Sequence, residues 1–379
     1  FGNDETAILI YKYRRKIMSK LKPSELVEVI LHNLQNATNS VPFIKGSPAI
    51  GKSALVFEIA QTLADESKLK LVRDYKGRPK YNVKPKKNEF GFADFRVAMY
   101  ETIDFSGLPY IDDKTGSQKR ALLDNLPTDK NSKGLLFLDE VAQANASLQN
   151  TIRQLTFEGR IGTDYVLPKG WKIVLAGNHS TDRAGAQRIL THFQSACLTL
   201  DLVPDTKEWL DWAYQNDINA DILAFLSFQP QFLHQFDAKK EGGFPAPRTW
   251  HQVSEMLEGD LRKSLVQPVL ESYLGETVAR EFETFCAFQN DLESPTKILK
   301  SPKKAKLPEK TELQYASVAS LISAVETPKD FENALTYVER FDAQEFAVLF
   351  VKALTTKEIK FKETSVFIDW HIKNQDILV

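Results

Sequence analysis

The residues Gly46-Ser47-Pro48-Ala49-Ile50-Gly51-Lys52-Ser53 match the spacing GxxxxGK[ST] at every fixed position. Gly46 and Gly51 let the backbone curl until successive N–H groups point at one β-phosphate, and a helix opening at Lys52 adds the positive end of its dipole. Lys52 brings a point charge to the β- and γ-phosphates, and the Ser53 hydroxyl is placed to ligate magnesium. The pattern predicts a site for ATP with magnesium.

Such a loop needs a second partner for the metal, and an open α/β sheet offers one at the carboxyl end of a neighbouring strand. Gly134-Leu135-Leu136-Phe137-Leu138 is an uninterrupted apolar run, as a parallel strand buried on both faces requires, and Asp139 and Glu140 follow it directly. Asp139 is assigned the magnesium, held through water, and Glu140 the orientation and deprotonation of the attacking water. A further apolar run, Trp171 to Ala176, ends at Gly177-Asn178, where the Asn178 amide can hold the lytic water from the opposite side. Arg248, in Pro245-Ala246-Pro247-Arg248-Thr249-Trp250, opens a helix in a later region and can reach the nucleotide from a lid.

The elements that must position these residues run in the order strand, loop, helix. Ser24 caps a helical pattern continuing through Leu31, Val41-Pro42-Phe43-Ile44 is a short strand that stops at Gly46, and Ala54 to Ala64 returns to a helical period. Leu69 to Glu89 is rich in lysine, arginine, proline and glycine and reads as an exposed excursion. Phe95 to Met99 is a candidate strand, Asp104 to Lys133 a polar interruption, Ser147 to Glu158 a helix and Gly159 to Pro168 a small hairpin. Strands alternating with helices predict a parallel α/β sheet flanked by helices. From Asp205 onward large apolar residues recur at helical spacing, with a break at Gly242 to Pro247. Ser294 to Lys310, rich in proline and lysine, reads as a linker, and Glu312 to Val379 as several amphipathic helices.

Bulk properties narrow the remaining classes. A chain of 379 residues with 42% hydrophobic content can bury a large core spread over two or three domains. Its 49 basic and 50 acidic residues nearly cancel, so no whole-chain field draws it onto nucleic acid or an anionic membrane. Cys197 and Cys286 stand far apart without a CxxC, which argues against a disulfide framework or a zinc site and for inert core thiols. No apolar run approaches the roughly 18 residues a bilayer span needs, so a cytoplasmic protein with no membrane partner is expected. Residues 1–17, ahead of Met18, read as lying outside the core, as a leader, tag or upstream extension.

The succession of phosphate loop, acidic strand end, strand-end Asn178 and a Pro-Arg-Thr-Trp helix resembles the MoxR-like group of AAA+ ATPases, over roughly residues 20–260. Asp104-Phe105-Ser106-Gly107-Leu108-Pro109, Asp139-Glu140-Val141-Ala142-Gln143-Ala144 and the run from Gln154 to Gly162 look like the same family, and the last, with Tyr165 to Pro168, is similar to the hairpin the family inserts before its sensor strand. The resemblance implies a P-loop NTPase core of AAA+ type at 18–203, an all-α lid at 204–290 and a helical C-terminal extension at 291–379. It makes Asn178 sensor 1 and Arg248 sensor 2. The segment Asp182-Arg183-Ala184-Gly185-Ala186-Gln187-Arg188 and the helical tail are similar to chains from bacteria and phages, where the ATPase is often encoded beside a protein with a von Willebrand A domain. One departure matters: the family's arginine finger falls in a segment like Ala-Leu-x-Asn-Arg, and Thr191 to Ala196 has no arginine. Either Arg188 or Arg183 takes that role, or hydrolysis is slow.

The resulting expectation is a magnesium-dependent ATPase that forms a homo-oligomeric ring, hexameric by analogy, and remodels a protein client. Two alternatives stand beside it. The lysine-rich segments Lys68 to Lys87 and Lys297 to Lys310 suit a nucleic-acid motor or loader, although aromatic residues are not interleaved with those lysines in the way a single-strand stacking groove wants. The missing finger suits a slow nucleotide-gated switch.

Overall fold

The computed structural model describes residues 20–36, 40–73, 87–121, 126–179, 182, 193, 195–288 and 292–374. The chain divides between Val203 and Pro204 into two compact units.

In the first unit the elements are β1 (Lys20–Leu21), α1 (Pro23–Gln35), β2 (Val41–Lys45), α2 (Lys52–Glu66), β3 (Lys70–Arg73), β4 (Glu89–Arg96), α3 (Thr102–Ser106), β5 (Leu108–Ile111), β6 (Gln118–Ala121), β7 (Lys133–Asp139), α4 (Ala146–Glu158), β8 (Arg160–Ile161), β9 (Tyr165–Val166), β10 (Gly170–Gly177) and β11 (Cys197–Leu202). Seven strands form one sheet in the order β1-β11-β2-β10-β7-β4-β3, every neighbouring pair parallel. Successive strand residues point to opposite faces, and the core divides accordingly. Phe43, Leu136, Leu138, Ile173 and Leu175 pack with Leu148, Ile152 and Leu155 of α4 on one face. Ile44, Leu135, Phe137, Val174 and Ala176 pack with Leu26 and Ile30 of α1 and Val56, Ile59 and Ala60 of α2 on the other. With both faces covered, the central strands read as continuous apolar runs.

One close approach inside this sheet requires glycine. Gly134 pairs with Gly91 on one side and Trp171 on the other. A Cβ at Gly134 would sit 2.4 Å from the Gly91 carbonyl oxygen and 2.6 Å from the Trp171 ring. The indole lies across the glycine and donates from Nε1 to Ser132 Oγ at 2.8 Å.

Several expectations shift. The excursion from Leu69 to Glu89 begins with an edge strand, β3, whose Leu71 packs against the core while Lys70 stays exposed. An edge strand tolerates charge on its open side, which hid it in the sequence. The strand expected at Phe95 to Met99 is β4, which ends at Arg96 before a 3-10 turn, Val97–Met99. Within the polar interruption lie α3 and the antiparallel hairpin of β5 and β6. Fully buried Phe105 anchors α3, its ring against Phe95 and Tyr100 at 5.7 and 5.3 Å. The strand β11, not anticipated, alternates polar and apolar residues at 197–202 and lies beside β2. The hairpin expected at Gly159 to Pro168 is present as β8 and β9.

The second unit is helical throughout its described residues: α5 (Thr206–Gln215), α6 (Ala220–Phe228), α7 (Pro247–Leu257), α8 (Lys263–Leu274), α9 (Glu276–Ala287), α10 (Pro295–Lys300), α11 (Thr311–Ala324), α12 (Pro328–Val338), α13 (Glu345–Lys357) and α14 (Ser365–Lys373), with short 3-10 turns between. One hydrophobic core runs from Trp209 to Trp370. The Phe225 ring packs against Phe232, Trp250, Phe282 and Phe285, while Tyr315 bridges Phe228 and Phe346. The described residues of 204–290 and of 291–379 therefore share a core. The expected linker is packed structure: Ile298 and Ala305 are 2% and 6% exposed, and Arg340, Tyr337 and Asn333 of the following elements donate to its carbonyls. Proline and lysine marked its outer surface, and the few apolar anchors between them were too sparse to show a helical period.

Candidate functional site

The strands β2, β10 and β7 lie side by side, and their carboxyl ends come out level. Lys45 pairs with Gly177, and Leu175 with Leu138. Gly46 and Asn178 thus leave the sheet as neighbours, with Asp139 one strand further on.

The loop between β2 and α2 holds two left-handed residues, Ala49 at φ 63° and Gly51 at φ 93°. These turns reverse the chain so that α2 opens at Lys52 with its N-terminus beside the loop. Gly46 is closely packed: a Cβ there would sit 2.6 Å from Ile50 Cδ1 and 3.0 Å from the Leu202 carbonyl oxygen. Ile50 is buried at 5% exposure and pins the loop to the core. Ser47 and Pro48 are half-buried and complete the cradle.

Lys52 is 8% exposed, and its Nζ donates to the Gly46 carbonyl at 2.9 Å, the Ser47 carbonyl at 2.8 Å and Asn178 Oδ1 at 2.8 Å. The ammonium is thereby held across the mouth of the loop, where a phosphate seated on the loop amides would meet it. Ser53 Oγ donates to Asp139 Oδ2 at 2.8 Å. A hydroxyl and a carboxylate oxygen at that separation form the donor set of a hard cation that also takes phosphate oxygens, as magnesium does. Ser53 and Asp139 are the residues that would hold it. Among the described residues there is no cluster of three or more His, Cys, Asp or Glu that could form an all-protein metal cage.

Glu140 stands in the left-handed region, φ 59° and ψ 28°, and its N–H donates to Asp139 Oδ1 at 2.8 Å. This turn takes Glu140 out of strand alternation, and a 3-10 turn at Val141–Gln143 follows. Ala142 then packs over Gly177, where an added Cβ would lie 3.3 Å from Ala142 Cβ. The Glu140 side chain is partly exposed, with no ion pair among the described residues. A general base needs a carboxylate left uncommitted in this way.

One positioning residue escaped the sequence reading. Asp182 Oδ2 accepts from the His179 N–H at 3.2 Å, and the Asp182 N–H donates to the His179 carbonyl at 3.0 Å. Together they close the turn directly after Asn178. The only sequence signal is weak, an aspartate shortly after a strand end, a residue type enriched in turns.

Arg248 belongs to the second unit. It is exposed at the second position of α7, where the Thr249 hydroxyl accepts from the Ala246 N–H at 2.8 Å and sets the helix start. Arg183 and Arg188 lie outside the described residues. Both cysteines are free, and burial pushes their thiols up, that of Cys197 to about 12. No helix among the described residues is long and apolar enough to cross a membrane.

Seven parallel strands, helices on both faces, a phosphate loop after β2 and paired carboxylates at the end of β7 define the class. The fold is an α/β core of P-loop type followed by a helical region. No protein-family model and no curated protein sequence matches the chain. Among solved structures it is similar to NtrX from Brucella abortus in complex with ADP, at 14% identity and a TM-score of 0.36, covering 99% of this chain and 74% of that one. It is also similar to a mutant form of RuvB from Thermotoga maritima, at 13% identity and a TM-score of 0.32 over 74% of this chain and 75% of that one. A third similar structure is the replication initiator DnaA bound to AMPPCP and single-stranded DNA, at 13% identity and a TM-score of 0.31, covering 94% of this chain and 93% of that one.

Proposed function

We propose that this chain binds ATP with magnesium in the loop from Gly46 to Ser53 and hydrolyses it. The observation that carries the reading is the convergence of three strand ends on one ammonium and one hydroxyl: Lys52 is tied to Asn178, and Ser53 to Asp139. Residues 126 and 86 positions apart meet at the mouth of the same loop. The loop amides and Lys52 bind and orient the β- and γ-phosphates, and Ser53 and Asp139 hold the metal. Magnesium, when bound, neutralises charge on the phosphate oxygens. Glu140 takes the proton of the attacking water, and Asn178 positions that water from the adjacent strand.

The finer reading rests on the MoxR-like resemblance. It is a ring of identical subunits in which Arg248 acts as sensor 2, Arg183 or Arg188 of a neighbouring subunit completes the site, and hydrolysis drives work on a protein client. A protein with a von Willebrand A domain is the client that resemblance suggests. An arginine supplied across an interface contributes about a thousandfold or more to phosphoryl transfer, so turnover in a ring should rise steeply with protein concentration.

Glu140→Gln tests the chemistry. The variant should retain ATP, measured by calorimetry with magnesium present, while turnover falls by roughly a hundredfold or more. Hydrolysis at the parental rate would show that Glu140 is not the base. A turnover number independent of protein concentration would count against the ring and for a monomeric switch.

A further inference from the structure

Lys297, Lys300, Lys303, Lys304, Lys306 and Lys310 are all exposed, and among the described residues none of these ammonium groups is in an ion pair. Within 294–310 a single carboxylate, Glu309, stands among them. The run is an ordered platform. Ile298 and Ala305 are buried beneath it. Asn333 Nδ2 donates to the Leu299 carbonyl at 2.9 Å, Tyr337 Oη to the Lys306 carbonyl at 2.9 Å, and Arg340 Nη1 to the carbonyls of Ala305, at 2.9 Å, and Pro302. Glu293 Oε2 accepts from the Lys306 N–H at 2.7 Å. Five side-chain contacts to backbone thus clamp a strongly cationic segment in one conformation.

Only Lys297 and Lys300 stand at helical spacing, three residues apart in α10, where like charges repel. The C-terminal dipole of α10 offsets the charge of Lys297 and Lys300, which lie in its last turn. Lys303, Lys304, Lys306 and Lys310 lie beyond the end of that helix, with Glu293 and Glu309 as the nearby carboxylates that the segment's backbone and sequence supply. We propose that this face of the second unit binds the phosphate backbone of nucleic acid. This does not depend on the ATPase reading, and either can fail alone.

The composition of the surface selects this occupant. Protein interfaces are depleted in lysine and built around buried apolar anchors. Here the apolar side chains Ile298 and Ala305 face inward. A membrane-surface segment would need apolar side chains pointing outward with its lysines, whereas Leu299 and Leu307, the other large apolar residues of the run, are partly buried and pack against the core. No aromatic residue is interleaved among the lysines for base stacking, so recognition falls on phosphates and is independent of sequence.

The test is fluorescence anisotropy of a labelled duplex DNA of mixed sequence with the full chain, titrated at several salt concentrations without nucleotide. Affinity should fall by roughly a hundredfold between about 50 and 200 mM salt, as about four phosphate contacts imply. Replacing Lys303, Lys304, Lys306 and Lys310 with Gln should remove most of that salt dependence and weaken binding at low salt at least tenfold. The corresponding Arg variant should bind like the parent, and all three proteins should melt alike and hydrolyse ATP alike. The proposal is overturned if the parent does not bind at low salt, if the Gln variant binds as the parent does, or if phosphatidylserine vesicles are bound and the duplex is not.

Discussion

Asn178 Oδ1 lies 2.8 Å from Lys52 Nζ, so the amide that ends β10 is hydrogen-bonded to the lysine that opens α2. An ammonium only donates, which fixes the oxygen of Asn178 toward Lys52 and turns its NH2 away. Asn178→Ala should lower turnover by roughly ten- to a hundredfold, because water positioning is lost, with ATP affinity changed by less than about threefold. Asn178→Asp should behave differently, since a carboxylate would form an ion pair with Lys52 in competition with phosphate and weaken ATP binding about tenfold or more. Calorimetry beside steady-state turnover separates the two effects. Unchanged kcat in Asn178→Ala would remove the amide from the chemistry.

The contact of Ser53 with Asp139 makes a prediction about the metal. If these oxygens hold magnesium, Ser53→Ala and Asp139→Asn should each raise the magnesium concentration needed for half-maximal turnover by about tenfold or more, the usual scale for a ligating group. Nucleotide binding measured in EDTA should change little. A magnesium titration that overlays the parental curve would place the metal elsewhere.

Much of this site was legible because its chemistry is local in sequence. Gly46 to Ser53 is contiguous, and Asp139 and Glu140 follow an apolar run that marks the strand. What sequence could not show is which strand ends become neighbours. That depends on the order β2-β10-β7, set by crossovers that bury both faces, and on the left-handed turn at Glu140, which no residue type announces. The misread elements share a cause as well. β3, β11 and α10 span only four, six and six residues, too short a stretch to establish a period, and neighbouring elements supply the order.

Gly134 offers a stability test remote from the chemistry. Gly134→Ala would drive a methyl into the Gly91 carbonyl and the Trp171 ring, and overpacking of this kind costs about 1–3 kcal/mol. The denaturant midpoint should fall with an unchanged m-value. A variant as stable as the parent would mean that β7 and β10 can separate locally at no cost.

A truncation addresses the second unit. Since Phe228 and Tyr315 join residues 204–290 to the rest of one core, a chain ending at residue 290 should expose α6 and its aromatic cluster. It should bind the dye ANS and lose the cooperative melting of that unit. A soluble truncated chain with native-like near-ultraviolet dichroism would show that 204–290 folds alone.

The pH dependence of stability carries a sign that can be checked. Burial raises the Cys197 thiol from 9.0 to about 12, against a smaller opposing effect of Lys45. The folded chain therefore prefers the neutral thiol, and the unfolded chain ionises first. Stability from this group is fully present below about pH 9 and is lost as pH rises from there toward 12. Tyr165, also raised by burial, donates its hydroxyl to the Pro127 carbonyl at 2.9 Å and acts in the same direction. Urea midpoints measured in steps from pH 8 to about pH 11 should decline, and Cys197→Ala should decline less steeply than the parent. Parallel curves for the two proteins would mean that the Cys197 thiol, at the start of β11, meets solvent when folded.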